Sequence, residues 1–189
     1  GRKVALVSSG AVGAGMGRLG LTSRPTDLAQ LQAVAAVGQS LLVEAYERCL
    51  RPYGHHAAQI LLTADDLDHR TSYLNARNTI LTLFDYGAVP IINENDTISV
   101  EELKTTFGDN DRLAAIVTNL IQAPLLVLLS DVEGLFNGDP RDPANQLLST
   151  VDRIDQTIFD LVRDRLTGLS KGGMASKLGD VTIDCFARD

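Results

Sequence analysis

Cysteine is scarce in this sequence: there are two, Cys49 and Cys185, far apart and in no CxxC or zinc-site spacing. That argues against a disulfide framework and suits reduced, buried thiols in a cytoplasmic protein. Positive charge is also in deficit. Lys and Arg number 17 against 24 Asp and Glu, for a net charge of −7. This argues against a general nucleic-acid binder that works by phosphate neutralisation. An acidic chain that binds phosphates does so locally, with backbone N–H groups, a few lysines and a metal ion. No unbroken apolar run approaches the roughly 20 residues of a membrane span, and no signal peptide is visible. The chain has no G-x-x-x-x-G-K-[ST] loop and no clean G-x-G-x-x-G with its acidic partner. Internal repeats and low-complexity linkers are missing as well.

What is present is an ordinary globular balance, 44% apolar and 22% charged over 189 residues, enough for one domain with a core. Short apolar runs at residues 3–8 (KVALVS), 57–63 (AAQILLT), 89–92 (VPII) and 125–129 (LLVLL) predict four buried strands. Longer stretches with a three- and four-residue apolar period lie between them. Residues 25–49 predict a helix with Pro25 in its first turn and Leu28, Leu31, Ala35, Leu42 and Ala45 inward. Residues 71–86 predict a second, with Leu74, Ile80, Leu81 and Phe84 inward and Gly87 at its stop. Residues 111–121 predict a third, and 156–165 a modest one. This alternation predicts an α/β fold with an open, mostly parallel sheet between helices.

Polar clusters sit where those runs end. Asn93-Glu94-Asn95-Asp96-Thr97 follows the third strand, and Gly108-Asp109-Asn110-Asp111 opens the third helix. Open α/β sheets place ligands at such strand ends. Asp and Asn also make turns and N-caps, so either cluster alone leaves both readings open. Small residues, Ser8-Ser9-Gly10-Ala11-Val12-Gly13-Ala14-Gly15, follow the first strand and let the backbone approach an anion ahead of a helix. Ser130 and Asp131 follow the fourth strand, and Gly168–Lys177 is a glycine-rich segment with Lys171 and Lys177, which as lone lysines are ordinary surface charges. His55, His56 and His69 lie outside these clusters and read as surface or satisfied core groups. Asn95-Asp96-Thr97 matches a glycosylation acceptor, a reading that a cytoplasmic chain discounts.

Taken in order, VSSGAVGAG, AAVGQS, QILLT, YLNARNT, VPIINEND, GDNDRLAA, LLSDVEGLF and GGMASK resemble the amino acid kinase superfamily, and within it the glutamate 5-kinase family. The same motifs occur in the kinase half of pyrroline-5-carboxylate synthases. The likeness runs to about Leu178. It implies a three-layer αβα amino acid kinase domain over residues 1–189, without the C-terminal RNA-binding-like domain of many bacterial members. It also implies transfer of the γ-phosphoryl group of ATP, with Mg²⁺, to the side-chain carboxylate of L-glutamate, the first step of proline synthesis.

The resemblance carries roles for particular residues. Ser9, Asp96 and Asn110 would bind substrate, and the backbone at Gly10 and Ala11 would face the transferring phosphoryl group. Asp111 and Lys177 would be catalytic, Asp111 by orienting lysine. Ser130, Asp131, Lys171, Gly172, Gly173, Met174 and Lys177 would lie at the nucleotide, and Mg²⁺ would be held mainly through ATP rather than by a protein metal site. Residues 98–107 would cover the substrate and host feedback inhibition by proline. A homo-oligomer is implied, with neither nucleic acid nor membrane as partner. A glutamate carboxylate is already ionised at neutral pH, so this chemistry needs positioning and charge neutralisation rather than a general base.

The sequence departs from the family at both ends. The family's earlier strand, ending in a Lys-x-Gly-[ST] motif, has no counterpart before Gly1-Arg2-Lys3, and residues 179–189 do not follow the usual pattern. Ser130 stands where relatives commonly have Thr. These departures predict a fragment that is poorly active and marginally stable by itself, since loss of a phosphate-facing group costs roughly 2.7–4 kcal/mol. They also keep two alternatives in view. One is a kinase for acetylglutamate, aspartate, carbamate or UMP. The other is a relic that binds ligand without turnover.

Overall fold

A computed structural model of the chain describes residues 1–98, 110–130, 133–139, 141–161 and 177–178. The chain divides into two compact units, Gly1–Thr106 and Phe107–Asp189. Residues 99–107 of the predicted covering loop, the Gly-rich segment before Lys177, Asp131 and Cys185 lie outside the described residues.

In the first unit, strands β1 (Leu6–Val7), β2 (Ala57–Leu62) and β3 (Val89–Glu94) form an open parallel sheet in the order β1-β3-β2. Helices α1 (Ala11–Leu19) and α2 (Leu28–Leu50) connect β1 to β2, and α3 (Ala64–Asp68) and α4 (Arg70–Asp85) connect β2 to β3. The fold is thus the expected α/β one, an open parallel sheet flanked by helices. β3 is central because its apolar run is continuous: Pro90, Ile91, Ile92 and Asn93 are all buried.

β1 is shorter than the predicted 3–8 strand, and Pro90 supplies the reason. The register pairs Leu6 with Ile91, which sets Ala5 opposite Pro90. Val89 and Asn95 donate toward β2, to His56 O at 2.8 Å and Leu62 O at 2.8 Å, so the alternate residues of β3, Pro90 among them, face β1. Proline has no N–H to offer there. Ahead of Leu6, Lys3 Nζ meets Asp85 Oδ1 at the end of α4 at 2.9 Å and lies 5.8 Å from the centre of the Phe84 ring.

α2 begins at Leu28 rather than at Pro25, because the Asp27 side chain takes the Gln30 N–H at 3.0 Å and caps the helix there. Together with its 3-10 extension, Leu28–Tyr53 is long and apolar enough by length and composition to cross a membrane. Gln30, Gln32, Gln39, Ser40 and Glu44 interrupt the run, and Leu31, Val34, Ala35 and Gly38 are buried inside the unit. α2 is therefore a core helix that packs on α1 and β2. Cys49, expected to be buried, is exposed on its solvent side, next to Arg48.

The α1–α2 crossing depends on two glycines. A Cβ on Gly38 would fall into the Ala11 carbonyl and lie 2.7 Å from Gly15 N, and one on Gly15 would strike the Val34 carbonyl. The two backbones touch at this point, and only hydrogen side chains permit it.

At the lower end of the sheet, the Glu47 carboxylate accepts from Ala57 N at 2.8 Å and meets His56 Nδ1 at 3.0 Å, anchoring α2 to the first residue of β2. α4 ends as predicted, with Gly87 at φ 74°. Its Ile80 is fully buried, but Leu74, six residues earlier and so turned to another side of the helix, is exposed. The five-residue α3 was not anticipated. Thr63 and Asp66 form a reciprocal capping box, Asp66 N to Thr63 Oγ1 at 3.2 Å and Thr63 N to Asp66 Oδ2 at 2.9 Å.

In the second unit, α5 (Asn110–Leu120) buries Ala114, Ala115, Val117 and Leu120 along one face. Residues 125–129, predicted as the fourth strand, form no ladder with any described residue, and Leu125, Val127 and Leu129 are exposed. A β-prone run becomes a strand only when a neighbour takes its backbone groups. An antiparallel bridge joins Phe136 to Leu147, and α6 (Gln156–Leu161) begins where the 156–165 helix was expected.

Two stability experiments follow from this packing. Gly38→Ala destabilises the protein by roughly 3 kcal/mol in urea unfolding. Gly17→Ala on the open side of α1, where a Cβ meets nothing within 4 Å, is neutral or stabilising by up to about 1 kcal/mol. The second concerns Glu47, whose pKa is lowered first by the Ala57 N–H and then by His56. A carboxyl depressed on folding stabilises fully above its unfolded value, about 4.3, and loses that contribution as pH falls through the folded value. The stability gap between the parent protein and Glu47→Gln is therefore constant above about pH 5 and narrows toward pH 3.

Candidate active site

The first site elements come off the upper ends of neighbouring strands. β1 ends at Val7, and Ser8 N donates to Ile92 O of β3 at 2.9 Å, carrying the pairing one residue further. Tyr46 Oη on α2 donates to Ser8 Oγ at 2.8 Å, and Ser8 Oγ donates to Ser9 O at 3.2 Å. Gly10 follows with φ 109° and ψ 1°, a left-handed conformation that a Cβ would strain, and α1 starts at the next residue. Ser9 and Gly10 are exposed at this turn, whereas Ala11 is buried, so Ala11 can serve a ligand only through its backbone N–H. The predicted small-residue loop is thus shorter than 8–15, because residues from Ala11 onward are already helix. The uncapped N-terminus of α1 presents its N–H groups and the positive end of its dipole beside the Ser9-Gly10 turn.

Asp96 comes off β3, the strand next to β1. It is only 7% exposed and Asn93 4%, a concentration of buried polar groups at a strand end. Asn95 N is tied to Leu62 O, and Thr97 Oγ1 donates to Asn95 Oδ1 at 2.6 Å, which shapes the turn around Asp96. Gln39 of α2, 5% exposed, donates to Glu94 O at 3.2 Å and to Asp96 Oδ2 at 3.5 Å. Arg24, on the connection between α1 and α2, has its pKa lowered by partial burial, while the nearby Asp96 charge opposes that shift. The parallel pairing of β1 with β3 thus brings Ser9, Gly10 and Asp96 to one edge of the sheet.

The second unit holds a partly buried ion pair. Asp111 stands in the first turn of α5, where a carboxylate suits the helix dipole, and Lys177 Nζ lies 2.6 Å from its Oδ2. The Lys177 and Asp111 side chains are 20% and 17% exposed, so the pair is largely shielded from water. Asn110 is the first residue of α5. Ser130 is exposed at the end of the irregular run. Asp131, Lys171, Gly172, Gly173 and Met174 lie outside the described residues. Among the described residues no cluster of three or more His, Cys, Asp or Glu is arranged to hold a metal ion.

In the first unit a left-handed glycine and a buried carboxylate stand at neighbouring strand ends, where open α/β sheets place ligands, and in the second a lysine is paired with an aspartate. The sequence model of the amino acid kinase family matches residues 1–182. The chain belongs to that family. Among curated relatives, a protein named glutamate 5-kinase from Rhodopirellula baltica is 51% identical over 178 residues, covering 94% of this chain and 46% of that protein. Glutamate 5-kinases from Azoarcus sp. and Thioalkalivibrio sulfidiphilus are 51% and 52% identical over 179 residues, covering 94% of this chain and 48% and 47% of theirs. The chain spans about half the length of these relatives.

Three residues of this site, Arg24, Gln39 and Tyr46, had not been singled out from the sequence. Gln39 belonged to a quoted motif, AAVGQS, but a polar residue on the packed side of a helix was the only signal. Tyr46 gives the checkable consequence. Tyr46→Phe removes the bond to Ser8 and lowers stability by about 1 kcal/mol. Tyr53→Phe, at a ring 80% exposed, leaves the urea midpoint unchanged.

Proposed function

We propose that the protein phosphorylates the γ-carboxylate of L-glutamate with ATP, giving γ-glutamyl phosphate for proline synthesis in the cytoplasm, and that residues 1–189 belong to a single amino acid kinase domain. The observation that carries the substrate assignment is the identity of about half of all residues, across 94% of the chain, with proteins named glutamate 5-kinase. The geometry agrees with the chemistry. In this reading Asp96 accepts from the α-ammonium of glutamate, the Asn110 amide donates to a substrate carboxylate, and Ser9 contacts the substrate beside the phosphoryl group. The N–H groups at Gly10 and Ala11 receive phosphoryl oxygens at the start of α1. Ser130, Asp131, Lys171, Gly172, Gly173 and Met174 line the nucleotide.

Lys177 fits the role of phosphate ligand, since an ammonium pinned to a carboxylate at 2.6 Å keeps N–H groups for a second, anionic partner. Mg²⁺, carried by the ATP phosphates, supplies further charge neutralisation when bound. The reacting carboxylate enters ionised, so none of the side chains named here has to remove a proton. Catalysis is placement of that oxygen in line with the phosphoryl group, with Asp111 acting through the position of Lys177. Proline acts as feedback inhibitor, and the protein assembles as a homo-oligomer.

Trapping the acyl phosphate with hydroxylamine tests the reaction. Hydroxamate is expected with L-glutamate and Mg·ATP, at a rate well below that of a full-length glutamate 5-kinase, and not with aspartate or acetylglutamate. Lys177→Met lowers kcat by about 10²–10³. Asp96→Asn raises KM for glutamate by about tenfold or more, the cost of a lost charged hydrogen bond. Product from aspartate or acetylglutamate in place of glutamate assigns a different amino acid kinase. Glutamate binding with no product gives a non-catalytic protein instead.

A further inference from the structure

Gln39 has a burial and a set of partners that its place on a core helix does not require. Its neighbours on the packed face of α2 are Leu31, Val34, Ala35 and Gly38, and an apolar side chain would fill the same volume without desolvating an amide. A primary carboxamide has two N–H donors and one acceptor oxygen. Here the nitrogen donates to Glu94 O at 3.2 Å and to Asp96 Oδ2 at 3.5 Å, and the oxygen accepts from Gln59 Nε2 at 3.5 Å. The amide is thus spent on one job, bridging β2 to the polar turn that ends β3. Its position is not adjustable, because the preceding residue, Gly38, is seated against the Ala11 carbonyl.

We propose that Gln39 is a positioning residue for substrate, holding the Asp96 carboxylate in the rotamer that receives the α-ammonium of L-glutamate. This rests on the assignment of Asp96 to the substrate. The bond to Glu94 O sets the backbone as it leaves β3, and the bond to Oδ2 sets the side chain two residues later. Both act on Asp96 and neither reaches the reacting γ-carboxylate, so the consequence falls on glutamate affinity.

Isothermal titration of L-glutamate into the purified protein and its Gln39→Met and Gln39→Glu variants tests the proposal. Gln39→Met keeps length and packing and removes all three hydrogen bonds. Gln39→Glu keeps the shape and sets a second carboxylate against Asp96. The expected Kd for L-glutamate rises about tenfold in Gln39→Met and further in Gln39→Glu, with one glutamate still bound per active chain. A purely structural role reduces the number of competent molecules and leaves Kd unchanged. That result, or an unchanged Kd at full stoichiometry, overturns the proposal. Should Gln39→Met fail to fold, Gln39→Glu carries the same comparison. Asp96→Asn separates the two layers of the reading. Unweakened glutamate binding in that variant, or no glutamate binding by the parent protein, refutes the substrate assignment and the role of Gln39 with it. Weakened binding in Asp96→Asn beside parent-like binding in both Gln39 variants refutes Gln39 alone.

Discussion

The contact of backbone on backbone between α1 and α2 is the constraint on which the first unit depends. Gly15 and Gly38 remove the side chains that would otherwise keep two helices 8–10 Å apart. Because the contact is hard on both sides, α1 has one place along α2. Its first turn then stands beside the end of β1, with Gly10 making the left-handed step between them. The same registration puts Gln39, one residue past Gly38, under the end of β3, and Tyr46, two turns later, under Ser8. A single steric condition thus orients both polar strand ends, from which the proposed substrate contacts of Ser9 and Asp96 are drawn.

Charge is used sparingly and locally, as a chain of net charge −7 requires if it is to meet anions at all. The first unit offers N–H groups and a helix dipole beside Ser9, with the Asp96 carboxylate buried near Arg24. The second offers one lysine whose counter-ion comes from the first turn of α5. Pairing Lys177 with Asp111 lowers the cost of holding an ammonium out of water and limits the positions it samples. For a reaction whose nucleophile arrives already ionised, such placement is the main contribution a protein can make.

Much of the architecture was readable in advance. β2 and β3 were apparent as short, mostly apolar runs between helical stretches, and α2, α4 and α5 because their apolar residues repeat at helical spacing. The misreadings share a cause. β1 is cut short by a proline 85 residues away from Ala5 in the chain, which no local pattern around residues 3–5 reveals. Residues 125–129 have the composition of a strand, but strand formation is a property of a pair. Leu74 was placed inward by the helical pattern and Cys49 by residue type, and the faces of α4 and α2 turned them outward. α3 is too short to show a period, and its signal was the capping box at Thr63 and Asp66.

The sequence by itself determined the family, the polar clusters at strand ends, and the kinds of group from which the proposed site is drawn. Those properties reside in residue types and their short-range order, so no coordinates are needed to read them. The tertiary structure alone decided which of these groups are held and by what. Gln39 meets Glu94 and Asp96 across separations of 55 and 57 residues, and Lys177 meets Asp111 across 66. Partnerships at that range depend on how elements far apart in the chain are placed, and for Gln39 the placement of α2 on α1 comes from the closeness that two glycines allow.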